Sequence, residues 1–577
     1  MPSRSGAIHV ATTTRKYKNR VYQTHLLRRT FRVGDQVRHE TLGNISHLPD
    51  SLIDIIRRSL AGESFVPATD TFRVLRSVPH GHVEAVLGTV RRLQLDSLLS
   101  SKSCRQRDIV LAMVVERLLD PSSKLATTRL WHNSTLAEEL SVQDASEDEL
   151  YQALDWLLAR QPQIEKKLAG RHLQEGSDVL YDVSSSYYEG RCCPLVRYGL
   201  NRDGKRDRPI IVYGVLTDAE GRPVAVEVYP GNTSDATTVS GQVEKLRDRF
   251  GLTRVVLVGD RGMLTEKQIA QLHDHPEIGW ISALKAGAIR ELVEAGALQL
   301  SLFDQQNLVE IQTALYPEER LVACFNPLLA EERKRKREEL LRATERELEA
   351  ITKQVARRKK KILRKEEIAL KAGRVIHRFK MAKHFALTIE DGKFQVQRRA
   401  DRIREEELLD GVYVIRTSES KENLSAPNAV RHYKNLTNVE RAFRCWKGTD
   451  IRVRPIYLRT EEHVRSHIFL CLLAYYLEWH MRTALAPLLF EEEDLAQLRQ
   501  QRDPVAPGKP SAAVQSKKQQ KQTAEGIPIQ SFHTLLEALA MRCRNTCQVQ
   551  LSSQAPTFEQ LTQATPLQAR AFELLGL

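Results

Sequence analysis

The sequence predicts an α/β fold, α+β over the whole chain: a mixed sheet flanked by helices, interrupted by an insertion and preceded by a region of strands and helices. Three observations predict it. Between residues 177 and 285, runs rich in Val, Ile and Tyr and broken by Gly and Asp alternate with helical stretches. From 286 to 425 that pattern gives way to a long charged helix. From 427 to 482 the apolar spacing is again helical.

The elements follow in chain order. Residues 1–75 form a strand-and-helix region and a candidate DNA-binding region. RVYQTHLLRRTFRVGDQVRHETLGNISHLP alternates in character, with Gly-Asp as a turn signal, and SLIDIIRRSLAG reads as a helix capped by Asp50 or Ser51 and stopped by Gly62. Residues 76–175 read as a helical domain, with i, i+3, i+4 spacing in VEAVLGTVRRLQL, DIVLAMVVERLL and EDELYQALDWLLARQ. This block suits DNA binding, dimerisation or a plain scaffold. In residues 176–285, SDVLYDVSSSYYEG, RPIIVYGVLTDAEGRPVAVEVYPG, TRVVLVGDRG and EIGWISALK read as strands, with Asp-Ala-Glu-Gly closing a hairpin and TTVSGQVEKLRDRFG as a helix. The order β-β-β-α-β-α-β is that of ribonuclease-H-like domains, so this stretch is the first part of a candidate catalytic core. Residues 286–425 are the insertion, with a long basic helix and the hairpin HFALTIEDGKFQVQRR turning at Asp391-Gly392. The helix reads either as a solvated hairpin held by pairs such as Glu332–Lys336, or as a phosphate-tracking arm centred on VARRKKKILRK. Residues 426–490 complete the core. Residues 491–526, polar and of low complexity, read as a flexible linker, and 527–577 as a C-terminal helical tail containing FHTLLEALAMRCR.

Composition narrows the function classes. In 577 residues, 87 Lys and Arg face 73 Asp and Glu, giving a net charge of +14 and a pI near 9.3. Such an excess favours an anionic partner, nucleic acid first. The best apolar run, Ile468 to Leu477, is too short to span a membrane, and the N-terminus lacks a secretory apolar region. A cytoplasmic protein is expected. The eight Cys form no CxxC pair, so neither a zinc ribbon nor a disulfide framework is indicated. Cys543 and Cys547, in a helical-looking stretch, read as packing.

Chemistry points to three carboxylates. Asp182 sits mid-strand in LYDVSSSYY, where a carboxylate is costly unless a cation meets it. Asp260 ends the strand VVLVGDRG. In a ribonuclease-H-like sheet the first and fourth strands are neighbours, which brings these two like charges together. Divalent cations remedy that repulsion, and carboxylate oxygens suit Mg²⁺ or Mn²⁺. In YKNLTNVERAFRCWKG, Tyr433, Glu440 and Lys447 recur at steps of seven. Two helical turns cover about 7.2 residues, so the three are expected on one helical face. Arg441 and Arg444 on the same helix can meet phosphate. His463 and His467, at i, i+4, have zinc-ligand spacing but no third ligand, and read as a packed helix pair.

On these motifs the chain resembles the insertion-sequence transposases of the DDE class that carry a Y-x2-R-x3-E-x6-K signature. Tyr433, Glu440 and Lys447 match three of its four residues, and Leu436 stands where the pattern has Arg. YDVSSSYYEG and VGDRGM resemble the family's segments around its first and second Asp, and HVRSHIFLCLLAYYLE resembles the helix after the signature. The likeness runs over roughly residues 10 to 490. It implies a DNA transposase that cleaves at the ends of an insertion element and joins them to target DNA, with Asp182, Asp260 and Glu440 holding two Mg²⁺ or Mn²⁺ ions. It further implies that Tyr433, Lys447, Arg444, Arg441 and Arg261 contact DNA, and that a homodimer brings two ends together in the nucleoid-associated pool of a prokaryotic cytoplasm. Two alternatives stand beside it: a metal-dependent nuclease on the same fold without strand transfer, and a catalytically decayed DNA-binding regulator.

Overall fold

A computed structural model of the chain describes residues 6–18, 20–65, 72–205, 207–358, 362–549 and 556–577. They divide into two compact units, Met1–Ser77 with Arg544–Leu561, and Val78–Cys543 with Thr562–Leu577.

In the smaller unit, β1 (Ala7–Tyr17), β2 (Arg20–Val33) and β3 (Gln36–Asn44) form an antiparallel sheet. The β2–β3 turn uses Gly34 in the left-handed region, where the Gly-Asp signal predicts a turn. Helix α1 (Asp50–Leu60) follows, burying Ile53. A second sheet joins β4 (Phe72–Pro79) to the strands Cys543–Val549 and Thr557–Leu561. The C-terminal region is therefore not wholly helical. The helix Phe532–Ala540 starts at a Ser531 capping box and ends before Met541, and Cys543 and Cys547 lie on a strand. Their four-residue spacing suits a helix turn, but the following Thr and Val, and an antiparallel partner in Thr557–Leu561, favour the extended form.

The larger unit is built on helices and one eight-stranded sheet. Its helical part includes α2 (Gly81–Arg92), α3 (Arg105–Leu119) and α4 (Glu147–His172), the last opened by a Ser146–Glu149 capping box. The sheet contains β5 (Asp178–Tyr187), β6 (Ile210–Asp218), β7 (Pro223–Pro230), β8 (Val255–Gly259) and β9 (Ile278–Ala283). These five supply the predicted β-β-β-α-β-α-β order. β5 lies parallel to β8 and antiparallel to β6, and β8 is parallel to β9.

The insertion is not set apart from this sheet. Its strands β10 (Leu308–Ile311) and β11 (Arg320–Phe325) extend it at the β9 side, and a later strand, Val412–Thr417, sits between β11 and β9. Between them, α5 (Pro327–Arg357), α6 (Lys365–Phe379) and the hairpin β12 (Phe385–Glu390) with β13 (Lys393–Arg398) pack on a core of their own, which includes Leu341, Leu348, Ile368 and Phe385. Lys359, Lys360 and Lys361 of the basic cluster lie outside the described residues.

The chain returns to the sheet through α7 (Ala426–Lys434), α8 (Leu436–Lys447) and α9 (Glu461–Leu485). α9 packs on α3, α4 and β7, and from Ile468 to Ala474 it is wholly buried, so its apolar run is core. Among the described residues no helix is long and apolar enough to cross a membrane. The expected linker, 491–526, is packed instead. It carries the helices Leu495–Gln501 and Ala512–Gln520, buries Val505 and Val514, and ties Ser511 to Glu492 by side-chain and backbone hydrogen bonds. Its few apolar residues are spaced widely, which hides their common burial in a composition reading.

Candidate active site

Strand register places the first two carboxylates. Tyr181 of β5 pairs with Gly259 of β8, so Asp182 and Asp260 come level where the parallel pair ends. The backbone carbonyl of Asp260 accepts from the N–H groups of Met263 and Leu264, which fixes the tight VGDRGM turn. Asp260 is exposed, whereas Asp182 is half-buried and its Oδ1 accepts from the Val183 N–H at 2.7 Å. Burial pushes the Asp182 carboxyl up to about 7; the Val183 N–H and Arg202 oppose this, and the charges of Asp260 and Glu440 add to it.

The helix that supplies Glu440 differs from the sequence expectation in one respect. Tyr433 and Glu440 do not share a continuous helix, because α7 ends at Lys434 and α8 begins at Leu436, with Asn435 at the junction. The strict seven-residue face is thereby broken, yet both side chains reach the same place. The Tyr433 hydroxyl donates to Asp260 Oδ1 at 3.3 Å. Its pKa lies well above the ordinary phenol range, first from burial and then from the charges of Asp260 and Glu440, with Arg261 opposing. Glu440, exposed on α8, therefore faces the same space as Tyr433 and both aspartates. Behind α8 the β6–β7 hairpin gives support: Asn438 Nδ2 donates to the Ala219 carbonyl at 2.8 Å, and Gly221 packs on Asn438.

The predicted cations divide. Arg444 and Arg261 are exposed, and no ion pair of theirs occurs among the described residues. Arg441 is instead part of the fold, its guanidinium 2.5 Å from Glu491, because it sits on the flank of α8 that the 491–526 segment covers. Lys447 is 15% exposed and pairs with Asp203 at 3.1 Å. Burial lowers its pKa and Asp203 opposes that shift. Leu436 is half-buried against the core. Beside it, Arg499 donates to the side-chain oxygens of Asn435 (3.2 Å) and Asn438 (2.8 Å), bringing a cation near the position where the signature has Arg. Asp203, Arg202 and Arg499 lie on loops or remote segments, and sequence reasoning passed over all three. His463 pairs with Asp155 at 3.3 Å and stacks on Tyr151, while buried His467 Nε2 donates to the Val453 carbonyl at 2.9 Å, so the two histidines do not converge.

Three carboxylates facing one space, one of them raised to neutrality by burial and by the other two, make a donor set that fits hard divalent cations. Their ligand atoms stand farther apart than in a closed single-ion site. Among the described residues only Cys445, Asp450 and Glu478 bring ligand atoms within 4.8 Å of one another. The Arg482 guanidinium already neutralises that group, at 2.6 Å from Glu478 and 2.9 Å from Asp450.

Two carboxylates at the end of adjacent parallel strands, with a glutamate on a later helix, form a candidate site for divalent cations and for phosphodiester chemistry. Family comparisons make this particular. The model of the transposase DDE domain matches residues 197–477, and that of the IS1634 family transposase N-terminal domain matches residues 10–67. The chain belongs to the insertion-sequence DDE transposases, and its function is DNA transposition. Asp260 and Glu440 lie inside the first match and Asp182 just ahead of it. DDE transposases generally use a divalent metal. No curated protein matches the chain. Among solved structures, the cryo-EM synaptic complex of piggyBac transposase with hairpin DNA is similar at 9% identity and a TM-score of 0.33, over 80% of this chain and 77% of that one.

Proposed function

We propose that Asp182, Asp260 and Glu440 are the catalytic carboxylates of this transposase, holding two Mg²⁺ or Mn²⁺ ions for cleavage at element ends and for strand transfer. The observation that supports this most is Asp182, a mid-strand carboxyl whose charge is disfavoured by burial and by two neighbouring carboxylates, opposed by the charge of Arg202 but by no direct ion pair among the described residues. Bound divalent cations supply Lewis acidity, making the attacking water or 3′-hydroxyl more acidic and offsetting charge on the departing oxygen. The chain's own residues do the rest. Asp182, rigid in β5, sets the position of the site. Tyr433 orients the Asp260 carboxylate through its hydroxyl and contacts the DNA terminus. Arg444 and Arg261, both exposed, attract the phosphates flanking the scissile bond, and Lys447 approaches them from the end of α8. Two element ends require two such sites, so the working form on DNA is a homodimer, acting in a prokaryotic cytoplasm.

The test is cleavage and strand transfer on duplexes carrying the element's ends, with Mg²⁺ or Mn²⁺. Asp182→Asn, Asp260→Asn and Glu440→Gln should each bind DNA with wild-type affinity and neither cut nor join it. Activity surviving Glu440→Gln would remove that residue from the triad. Cutting without joining by the wild type would favour a nuclease.

A further inference from the structure

We propose that Asp203 is a positioning residue for the transposition reaction, holding Lys447 and Arg454 together as a two-cation subsite for a DNA phosphate beside the three carboxylates. The inference rests on the reading of that carboxylate site.

The geometry begins in the β5–β6 loop. The Asp203 side chain is 2% exposed, and a lone carboxylate so placed carries a large desolvation cost. Its Oδ2 accepts from the Tyr187 N–H at 3.1 Å, and its own N–H donates to Asn201 Oδ1 at 2.8 Å, so the loop clamps it from both ends. Its Oδ1 meets two cations, Lys447 Nζ at 3.1 Å and Arg454 at 2.5 Å. Arg454 also donates to the Lys447 carbonyl at 3.3 Å and lies over the Tyr187 ring, 5.2 Å from its centroid. Lys205 lies over the same ring at 4.0 Å.

One buried carboxylate facing two cations leaves an excess of one positive charge. The same Oδ1 holds both cations, so their mutual position depends on this one side chain. The two cations retain 15% and 24% side-chain exposure, so each keeps an edge toward solvent while its position is fixed from behind. A phosphodiester, with one negative charge, matches that excess. The neighbouring residue connects this subsite to the carboxylates: Arg202 is neutralised by Asp235 at 2.5 Å, and its charge acts on both Asp182 and Lys447. One loop thus faces the carboxylates with Arg202 and anchors the cation pair with Asp203.

Two measurements on the full chain test this. On a plain duplex, the slope of log affinity against log salt should fall by about one for Lys447→Met and again for Arg454→Met, and stay at the wild-type value for Asp203→Asn. On a duplex carrying the element's end, Asp203→Asn should slow single-turnover cleavage roughly 10- to 100-fold through misplacement of the cations. Added to the Lys447→Met/Arg454→Met double variant, the same change should alter the rate by less than about threefold, because the groups it positions are gone. Multiplicative losses would overturn the inference, as would unchanged salt slopes for both cation variants. The slopes decide alone if Asp203→Asn does not fold. Asp182→Asn separates the two readings: if it cleaves at the wild-type rate the carboxylate reading fails, whereas a dead Asp182→Asn beside a multiplicative Asp203 cycle sinks only the positioning role.

Discussion

Asp182 makes the metal-free protein respond to pH in a calculable direction. Its carboxyl titrates near 7 in the fold, against 3.8 ordinarily, so between those values the folded state binds the additional proton. Stability therefore falls as pH rises from about 4 to about 7, and the penalty is complete above that window. Asp182→Asn should remove it, raising the stability of metal-free protein at pH 8 by roughly 2–4 kcal/mol and by little at pH 4. Thermal melts in a chelator at the two pH values check this, with no pH-dependent gap counting against it. Adding Mn²⁺ should then raise the melting temperature of the wild type and leave that of Asp182→Asn nearly still. Asp182 could be read from the sequence because a charged residue amid β-formers breaks the strand's own rule. Asp203 could not: the loop NRDGKRDR carries no periodicity, and the carboxylate acquires meaning only when α8 delivers Lys447 to it.

Elements show where contact rather than composition decides. Arg482 on α9 joins Glu478, Glu491 and Asp450, and Glu478 is wholly buried. Burial pushes the Glu478 carboxyl up to about 7, and Arg482 is what opposes that rise most. Arg482→Met leaves this charge uncompensated, so a loss of about 3–5 kcal/mol is expected at pH 8. At pH 5, where Glu478 takes a proton, the loss should shrink, and denaturant melts at both values compare them. Gly221 offers a second test. It turns the β6–β7 hairpin at φ +91°, and an added Cβ would lie 2.7 Å from that of Asn438 on α8. Gly221→Ala should cost about 1–3 kcal/mol through backbone strain and crowding, and should slow cleavage by displacing the Glu440 helix. Unchanged cleavage with lowered stability would mean that the hairpin supports the fold and not the site. The strands of the core were legible because β-branched runs punctuated by Gly and Asp occupy them. The junction at Asn435 was not, since a seven-residue repeat looks the same across a broken helix. The 491–526 segment escaped for a related reason: Arg499, Ser511 and Glu491 act through single long-range contacts that leave no pattern in the chain.

At the scale of the molecule, charge is unevenly placed. Residues 328–410 carry 25 Lys and Arg against 16 Asp and Glu, most of the chain's net excess of +14. Some acids of this segment are neutralised by its own arginines: Arg398 binds Glu338 (3.0 Å) and Glu345 (2.5 Å), and Arg337 binds Asp410 (2.5 Å). Arg346, Lys353 and Arg357, spaced on one face of α5, stay exposed without an ion pair among the described residues. The segment also has its own apolar core and a narrow neck, where the Asn326 N–H donates to the Gly411 carbonyl at 3.0 Å. The segment is therefore a hairpin held by ion pairs that also presents exposed cations. Replacing residues 328–410 by a short Gly-rich turn should leave the eight-stranded sheet folded, since β11 and Val412–Thr417 pair directly across the neck. The shortened protein should bind plain duplex more weakly at physiological salt, and its salt dependence should fall by several phosphate contacts. Binding isotherms from 50 to 300 mM salt (about one to two Debye-length halvings) measure it. A shortened protein that folds and keeps the wild-type slope would make the insertion an architectural extension of the sheet and move the electrostatic contact with DNA to the rest of the chain.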